Sequence, residues 1–275
     1  MQLITMSSLI SGSDKQKTFR WIFVILLADT LILSIPFHLF FHNYYPLQLS
    51  KEIGGIIHGI FRISLCIFLL QKLSLLSQVN FHPVKVSSPQ YLLIPFVFPM
   101  VLALPSILNI HSSDLLIDSL WISCLAFLLM AMAEEVLMRG IVLSLLLKKF
   151  GTGSFMKSVL ISAALFSLMH LINLYRWNFI NVLIQMIVAF YFGVFFGALM
   201  LKTKNLFYLG LIHGLVNIFF NLDAILRKPS TTKYVDTWQD ILKAILTTAI
   251  ILCPLFIIGL IIVRKMQKAV KMKLT

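Results

Sequence analysis

Charged residues are scarce in this chain. Only 12% of its 275 residues are Asp, Glu, Lys or Arg, whereas 59% are hydrophobic. In a water-soluble domain about a quarter of the residues are charged, so the composition excludes that class and predicts an integral membrane protein. Acidic residues are rarer than basic ones: the chain has 10 Asp and Glu against 23 Lys and Arg, which gives a net charge of +13. Because no polar domain exists to carry nucleic-acid binding, we expect no nucleic-acid partner.

Cysteine is almost absent as well. The three cysteines, Cys66, Cys124 and Cys253, each lie inside an apolar run, with no CxxC or Cys/His spacing. This excludes a disulfide framework and a cysteine zinc site. The chain also shows no internal repeat and no small-residue cleavage site after its first apolar run, which we interpret as an uncleaved first span.

Long apolar runs are the dominant feature that is present. A helix needs about 20 apolar residues to cross a bilayer. Eight candidate spans result: 21–41, 53–71, 91–110, 116–147, 157–175, 179–200, 206–222 and 242–263. The predicted fold is therefore an all-α polytopic transmembrane helix bundle. The fourth run is too long for one straight crossing, so we expect it to tilt, bend or split, with Gly140 as the weak point.

The basic residues predict an orientation. With eight spans and a cytoplasmic N-terminus, both termini are cytoplasmic. Fifteen basic residues then lie on the cytoplasmic side: Lys15, Lys17, Arg20, Lys72, Lys85, Lys148, Lys149, Lys157, Lys202, Lys204, Arg264, Lys265, Lys268, Lys271 and Lys273. Six lie on the outer side: Lys51, Arg176, Arg227, Lys228, Lys233 and Lys243. This excess agrees with the positive-inside rule.

Ionisable residues inside a membrane are costly and are usually functional or paired for structure. The fourth span carries Glu134, Glu135 and Arg139. Glu135 and Arg139 are four residues apart, which predicts an ion pair on one helix face. Glu134 points about 100° away and is left to face another group, where a dry cavity would make it a base toward water. Alternatively, both acids only pair within a polar bundle.

Two further spans carry histidine. Phe166 and His170 are four residues apart in the fifth span, so we expect their rings to pack together. His213 and Asn217 share one face of the seventh span, beside Gly214, which leaves room for a close helix or a substrate. The asparagine amide could donate to an oxyanion. Alone, the pair could equally be interhelical hydrogen-bonding groups.

The polar groups of these three spans lie at similar depths. Glu134, His170 and Asn217 are each about 20 Å from the basic residue that ends their run on the cytoplasmic side, at helical rise. One pocket could therefore hold all three.

Other intramembrane features are interpreted as structural. Asp29 in the first span and Arg62 in the second could pair at matching depth, and His58 shares a face with Arg62. A structural salt bridge is favoured over substrate binding. Gly193 and Gly197 have the spacing of a close helix contact. His38, His42, His82 and His111 lie near span ends or in loops and carry no usable signal.

The ordered motifs EExxxR, FxxxH and HxxxN resemble those of the family of CAAX-prenyl endopeptidases and bacteriocin-processing or immunity proteins, often called the CPBP or Abi family. Here they are Glu134 to Arg139, Phe166 to His170 and His213 to Asn217. The resemblance divides the chain into a three-span N-terminal region (1–115), a protease-like core (116–222) and an outer loop, last span and basic tail (223–275). The polar stretch 221–240 is predicted to be an exposed loop.

The resemblance implies an intramembrane endopeptidase. The glutamate that activates water maps onto Glu134, and the second acid and the arginine map onto Glu135 and Arg139. The histidines map onto His170 and His213, and the last polar residue onto Asn217. In the expected mechanism, Glu134 takes a proton from a water held with His170, and His213 and Asn217 stabilise the oxyanion.

Several alternatives stay open. A zinc-dependent version would use Glu134, His170 and His213 as ligands, although no HExxH motif is present and a metal-free site is favoured. A non-catalytic scaffold or bacteriocin self-immunity protein could share the fold. A secondary transporter would need repeated halves and broken helices, neither of which is visible. The expected partners are membrane lipids and a peptide or lipidated-peptide substrate. The expected location is a bacterial plasma membrane.

Overall fold

The computed structural model describes residues 12–41, 43–45, 47–81, 90–108, 117–175, 177–222, 225 and 238–272. Within these ranges the chain is helical and contains no strand, which confirms the predicted all-α class. The α-helices are α1 (Gly12–Leu33), α2 (Leu47–Lys72), α3 (Gln90–Leu93), α4 (Val97–Leu108), α5 (Ile117–Glu135), α6 (Ser144–Phe150), α7 (Phe155–Met169), α8 (Phe179–Thr203), α9 (Leu206–Phe220) and α10 (Trp238–Met272). Most of the predicted 221–240 loop lies outside the described residues.

Six helical segments in the described part of the chain are long and apolar enough to cross a bilayer. They are Lys17–Phe40, Leu49–Lys72, Leu120–Phe150, Phe155–Tyr175, Phe179–Thr203 and Trp238–Met272. The protein is therefore a multi-pass membrane protein, and its termini and total of eight spans stay predictions.

Two of the predicted spans differ from continuous crossing helices. The 91–110 run is divided into α3, a 3-10 turn at Ile94–Phe96 and the 12-residue α4. Pro95 lies in that turn and lacks the backbone donor that a continuous helix needs. Helix α9 has 15 residues, about 22 Å at helical rise, and is shorter than a bilayer core of about 30 Å.

The long fourth run is one continuous helical segment, Leu120–Phe150, with a π-helical stretch in its middle. Helix α5 continues through a π-helical stretch, Val136–Leu143, into α6. All eight residues of this stretch are buried, and Gly140 lies within it. A π-helical stretch accommodates an extra residue in the helical turn and often occurs at functional sites. The predicted irregularity thus lies around Gly140, and Arg139 is part of it.

Glycines allow the core helices to approach closely. A Cβ on Gly193 would lie 3.1 Å from the Cα of Ala163, and one on Gly197 would lie 3.0 Å from Val159 Cγ1. These two glycines therefore pack α8 on α7, as their spacing predicts. Helix α10 packs on another face of α8. A Cβ on Gly259 of α10 would lie 3.1 Å from the Cα of Phe195.

Helix α5 lies between α2 and α9. A Cβ on Gly214 of α9 would lie 2.9 Å from the Cα of Leu128, and one on Gly210 would lie 3.1 Å from that of Met132. On the other side, a Cβ on Gly59 of α2 would lie 3.0 Å from the carbonyl carbon of Leu129. These close contacts bring polar residues of α2 and α9 against the acids of α5.

A short turn connects α8 to α9 and fixes where α9 begins. Lys204 adopts a left-handed conformation with φ 52°, and Asn205 caps α9 by accepting a hydrogen bond from the Tyr208 amide at 3.1 Å. Asn80, which follows α2, exchanges backbone hydrogen bonds with Lys204 and Leu206 at 2.8 Å each. The start of α9, and hence the depth of His213, is set by these bonds.

Candidate active site

A cavity of about 970 Å³ opens at one end of the bundle. Its walls come from the end of α1 and the following turn, the first half of α2, α5 with the π-helical stretch, the end of α7, and from α8 and α9. The polar and charged residues that line it are His38, Lys51, Glu52, His58, Arg62, Ser123, Glu134, His170, Asn173, Tyr175, Trp177, Gln185 and Asn217. Three of the six predicted site residues, Glu134, His170 and Asn217, therefore border one space.

The two adjacent acids have different surroundings. Glu135 is fully buried and forms the predicted ion pair with Arg139, at 3.0 Å between Oε1 and Nη1. Glu134 borders the cavity and its side chain is 24% exposed. The sequence prediction that Arg139 neutralises Glu135 and leaves Glu134 to face another group agrees with this geometry.

His213 connects the two acids. Its Nδ1 lies 2.8 Å from Glu135 Oε1, and its Nε2 lies 3.8 Å from Glu134 Oε2. The Glu135 carboxylate that pairs with Arg139 accepts this hydrogen bond, and Nδ1 of His213 donates it. Nε2 is then directed toward Glu134, at a distance that is too long for a direct hydrogen bond. Sequence spacing could not reveal this contact, which joins residues 78 positions apart.

The ring of Phe166 occupies the centre of the site. It meets the rings of His170 and His213 edge to face, at centroid distances of 5.0 and 6.0 Å. The Arg139 guanidinium lies over the same ring at 4.7 Å. The predicted packing of Phe166 on His170 is present, and the aromatic ring also shields the buried ion pair from the cavity.

His170 lies where α7 ends and a 3-10 helix, His170–Tyr175, begins. Its Nδ1 donates to the carbonyl of Phe166 at 2.9 Å, since a carbonyl can only accept. The other ring nitrogen, Nε2, is left for the cavity. Asn217 is half-buried on α9 and lines the same cavity.

The second polar set forms another wall of the cavity. Arg62 donates two hydrogen bonds to Asp29, at 2.7 Å from Nε and 2.8 Å from Nη2, so the predicted salt bridge is present and bidentate. Both residues are buried. Arg62 and His58 line the cavity, and Arg62 lies close enough to Glu134 for their charges to interact.

Sequence reasoning missed several residues of the cavity. Glu52 is buried and accepts a hydrogen bond from Ser123. It directly precedes the predicted 53–71 span and so was not among the intramembrane ionisable residues, whereas α2 begins at Leu47. His38, which carried no usable signal, lines the cavity, as do Asn173 and Gln185. Amides in apolar runs were the signal that could have identified the last two.

The three predicted zinc ligands, Glu134, His170 and His213, do not converge on one point. Among the described residues, no three His, Cys, Asp or Glu side chains come together as metal ligands. Glu134 and His213 are close, but the Phe166 ring lies against both imidazoles of the predicted set.

Comparison with known families identifies the region that holds this site. Residues 116–219 match the family described as type II CAAX prenyl endopeptidase Rce1-like. This part of the chain, the Rce1-like region, resembles that family over 104 of the 275 residues. The match agrees with the resemblance found in the motifs and with the predicted 116–222 core, and it includes all six predicted site residues. Over these residues the chain is similar to CAAX-type intramembrane proteases. No curated protein matches the chain.

The Rce1-like region does not build the cavity alone. Its family match begins at residue 116, whereas His38, Lys51, Glu52, His58 and Arg62 precede it. The helices outside the match therefore supply much of the polar wall opposite Glu134.

Proposed function

We propose that the protein is an intramembrane endopeptidase that hydrolyses a peptide bond of a membrane-associated peptide with a water activated by Glu134. One observation carries the proposal: Glu134 faces the cavity 3.8 Å from His213 Nε2, while the other nitrogen of that imidazole is fixed by the buried Glu135–Arg139 pair. A base is placed beside a hydrogen-bonding group whose orientation is set by a third residue, an arrangement that general-base catalysis requires.

The gap between Glu134 and His213 suits a bound water. Polar atoms separated by more than 3.5 Å commonly interact through a bridging water. A water at this position hydrogen-bonds to Glu134 and to Nε2 of His213, and its oxygen faces the cavity. The expected partner of this water was His170, and the distances favour His213 instead.

Hydrolysis then proceeds through proton transfers that balance. Glu134 takes a proton from the water as its oxygen attacks the carbonyl carbon of the scissile bond. The tetrahedral intermediate carries its negative charge on the former carbonyl oxygen. The carbon–nitrogen bond breaks, and Glu134 returns the proton to the leaving amine. No covalent enzyme intermediate forms.

Asn217 and His170 are assigned to stabilise the negative charge on the former carbonyl oxygen. Asn217 can donate an amide N–H to the oxyanion, and His170 can donate from Nε2 when it is protonated. Preorganised donors of this kind each contribute about 3 kcal/mol in a dry site. The sequence assigned this role to His213, but its Nδ1 is already engaged by Glu135.

The substrate class follows from the setting. A peptide must reach a cavity that is bordered by membrane-spanning helices, so we expect a membrane-associated or lipidated peptide, with membrane lipids as neighbours. A bacterial plasma membrane is the proposed location, and processing of an unprenylated peptide is then favoured.

Mass spectrometry of membrane peptides tests the proposal. Cells containing the wild-type protein are compared with cells containing Glu134→Gln at equal abundance, and with an Asp240→Asn control, an exposed acid on α10 outside the cavity. We expect uncut peptides to accumulate only with Glu134→Gln, because loss of a general base slows a reaction by about 10²- to 10⁴-fold. Identical profiles in all three would reject the enzyme and leave a scaffold or immunity role.

A chelator decides between the metal-free and zinc versions. We expect cleavage by the purified protein to be unchanged after dialysis against EDTA. Loss of cleavage that returns with zinc would establish the metal-dependent version.

A further inference from the structure

An amide pair lies in the cavity wall beside His170. Asn173 is three residues after His170 on the 3-10 helix, and Gln185 faces it from α8. Asn173 Nδ2 donates to Gln185 Oε1 at 2.8 Å. Both side chains are half-buried and both line the cavity.

Most of the hydrogen-bonding capacity of this pair is unused. A carboxamide offers two donors and an acceptor with two lone pairs, and the mutual bond uses one donor of Asn173 and one lone pair of Gln185. Asn173 Oδ1 and Gln185 Nε2 have no hydrogen-bond partner among the described residues. Neither atom is fully buried. The pair thus presents one acceptor and one donor to the cavity. If both amides rotate together, the mutual bond is kept and again one donor and one acceptor remain.

A substrate peptide needs such groups at this depth. Backbone N–H and C=O groups inside a bilayer must be satisfied, and a helix satisfies them internally. At a scissile bond the peptide must be extended so that water can reach the carbonyl, and its nearby backbone groups then lose their helical partners. Each group left unpaired costs several kcal/mol in an apolar environment.

We propose that the Asn173–Gln185 pair binds the substrate backbone, accepting a hydrogen bond from one peptide N–H and donating one to a peptide C=O, and so positions the scissile bond at Glu134. This inference rests on the proposed function, and it assigns to the same site an extended peptide as ligand. Recognition is through the main chain, so it tolerates different side chains.

A purely structural pair would behave differently. Its mutual bond ties the 3-10 helix to α8, and replacing both partners by apolar groups of similar size would then be nearly neutral. Substrate binding would be unaffected by such a replacement. A backbone-binding pair, in contrast, loses two hydrogen bonds to the peptide even when the fold is intact.

The test measures binding without turnover. The Glu134→Gln protein is compared with the same protein carrying Asn173→Leu and Gln185→Met. Asn181→Leu is the matched control, since Asn181 is exposed on α8 and outside the cavity lining. The probes are two fluorescent heptapeptides of the same sequence, one without a lipid and one S-farnesylated, together with analogues of each that carry one N-methylated peptide bond. Thermal unfolding of each variant verifies that it is folded.

We expect the double replacement to raise the Kd of the unmodified peptide about tenfold, as the loss of two neutral hydrogen bonds predicts. One N-methylated analogue should bind the Glu134→Gln protein several-fold more weakly than the unmethylated peptide does. The protein with the double replacement should bind that analogue no more weakly than Glu134→Gln does, because both changes remove the same hydrogen bond. The Asn181→Leu control should bind as Glu134→Gln does.

Three results would overturn the inference. They are an unchanged Kd in the double variant, a double replacement whose effect on Kd adds to the effect of N-methylation at every peptide bond, or no binding of any peptide. Cleavage by the wild-type protein together with an unchanged Kd would reject the amide pair and keep the protease. Binding that depends on the pair, without cleavage by the wild-type protein, would keep the peptide site and reject the protease.

Discussion

Two adjacent glutamates of the same intrinsic chemistry have different environments in this protein. Glu135 is fully buried between Arg139 and His213, whereas the side chain of Glu134 is 24% exposed to the cavity. A π-helical stretch that begins at Val136 and holds Arg139 directly follows them. Only one of the two is therefore accessible to water.

The two environments predict that the same substitution lowers stability at Glu135 and leaves it nearly unchanged at Glu134. Glu135→Gln leaves Arg139 buried without its charge partner, which typically costs about 3–5 kcal/mol. Glu134→Gln removes a partly exposed charge and should leave stability nearly unchanged. We expect the apparent Tm of Glu135→Gln in detergent to fall well below that of Glu134→Gln. Equal Tm values for the two variants would contradict the assigned roles.

Contacts between residues close in sequence were predicted from their spacing, whereas contacts between distant residues could not be. The Glu135–Arg139 pair and the Phe166–His170 contact both join residues four apart on one helix, where geometry follows from sequence. The His213–Glu135 hydrogen bond depends on how α9 packs against α5, which no spacing encodes. The position of His213 against both acids could therefore not be predicted from the sequence.

At the scale of helices, apolar length predicted most of the bundle but not its interruptions. The runs that became α1, α2, α5, α7, α8 and α10 are long and continuous in hydropathy. The 91–110 run has the same composition, yet Pro95 divides it. Glu52 was missed because α2 begins within a segment that composition assigned to a loop.

The contact between α5 and α9 depends on two glycines. Gly210 and Gly214 let the backbones approach, and a Cβ on Gly214 would lie 2.9 Å from the Cα of Leu128. Since His213 and Asn217 lie on the same helix, their distance from Glu134 depends on this approach.

We therefore expect Gly214→Ala to lower both stability and activity. Overpacking of this kind costs about 1–3 kcal/mol, and displacement of α9 would lengthen the distance from Glu134 to His213 Nε2. Gly153→Ala is the control, because a Cβ there would meet nothing within 4 Å. Tm and peptide cleavage are measured for both variants. A Gly214→Ala protein that matches Gly153→Ala in both would show that the close contact is dispensable.

At the scale of the whole molecule, large apolar side chains are exposed where lipid would cover them. Phe23 of α1 is 67% exposed and Ile250 of α10 is 70% exposed. In a soluble protein such surfaces would predict a docking site, but in a multi-pass membrane protein lipid is the expected neighbour. The polar groups gather inside instead, around the cavity.

The basic residues that end three of the helices lie away from the cavity. The cavity is bordered by the ends of α1 and α7, by the first half of α2 and by α5 with the π-helical stretch. Lys72, Lys148 and Lys202 lie at the other ends of α2, α6 and α8. If the basic end is cytoplasmic, as the positive-inside rule predicts, the cavity opens on the outer side of the membrane.

Cysteine labelling tests this orientation. Tyr175 lines the cavity and is 61% exposed, and Lys265 is exposed near the end of α10. Each is replaced by cysteine in a protein whose three native cysteines are alanine. We expect a membrane-impermeant maleimide to label Tyr175→Cys in intact cells and Lys265→Cys only after permeabilisation. The reverse pattern would place the cavity on the cytoplasmic side, and the substrate would then be a peptide presented from inside the cell.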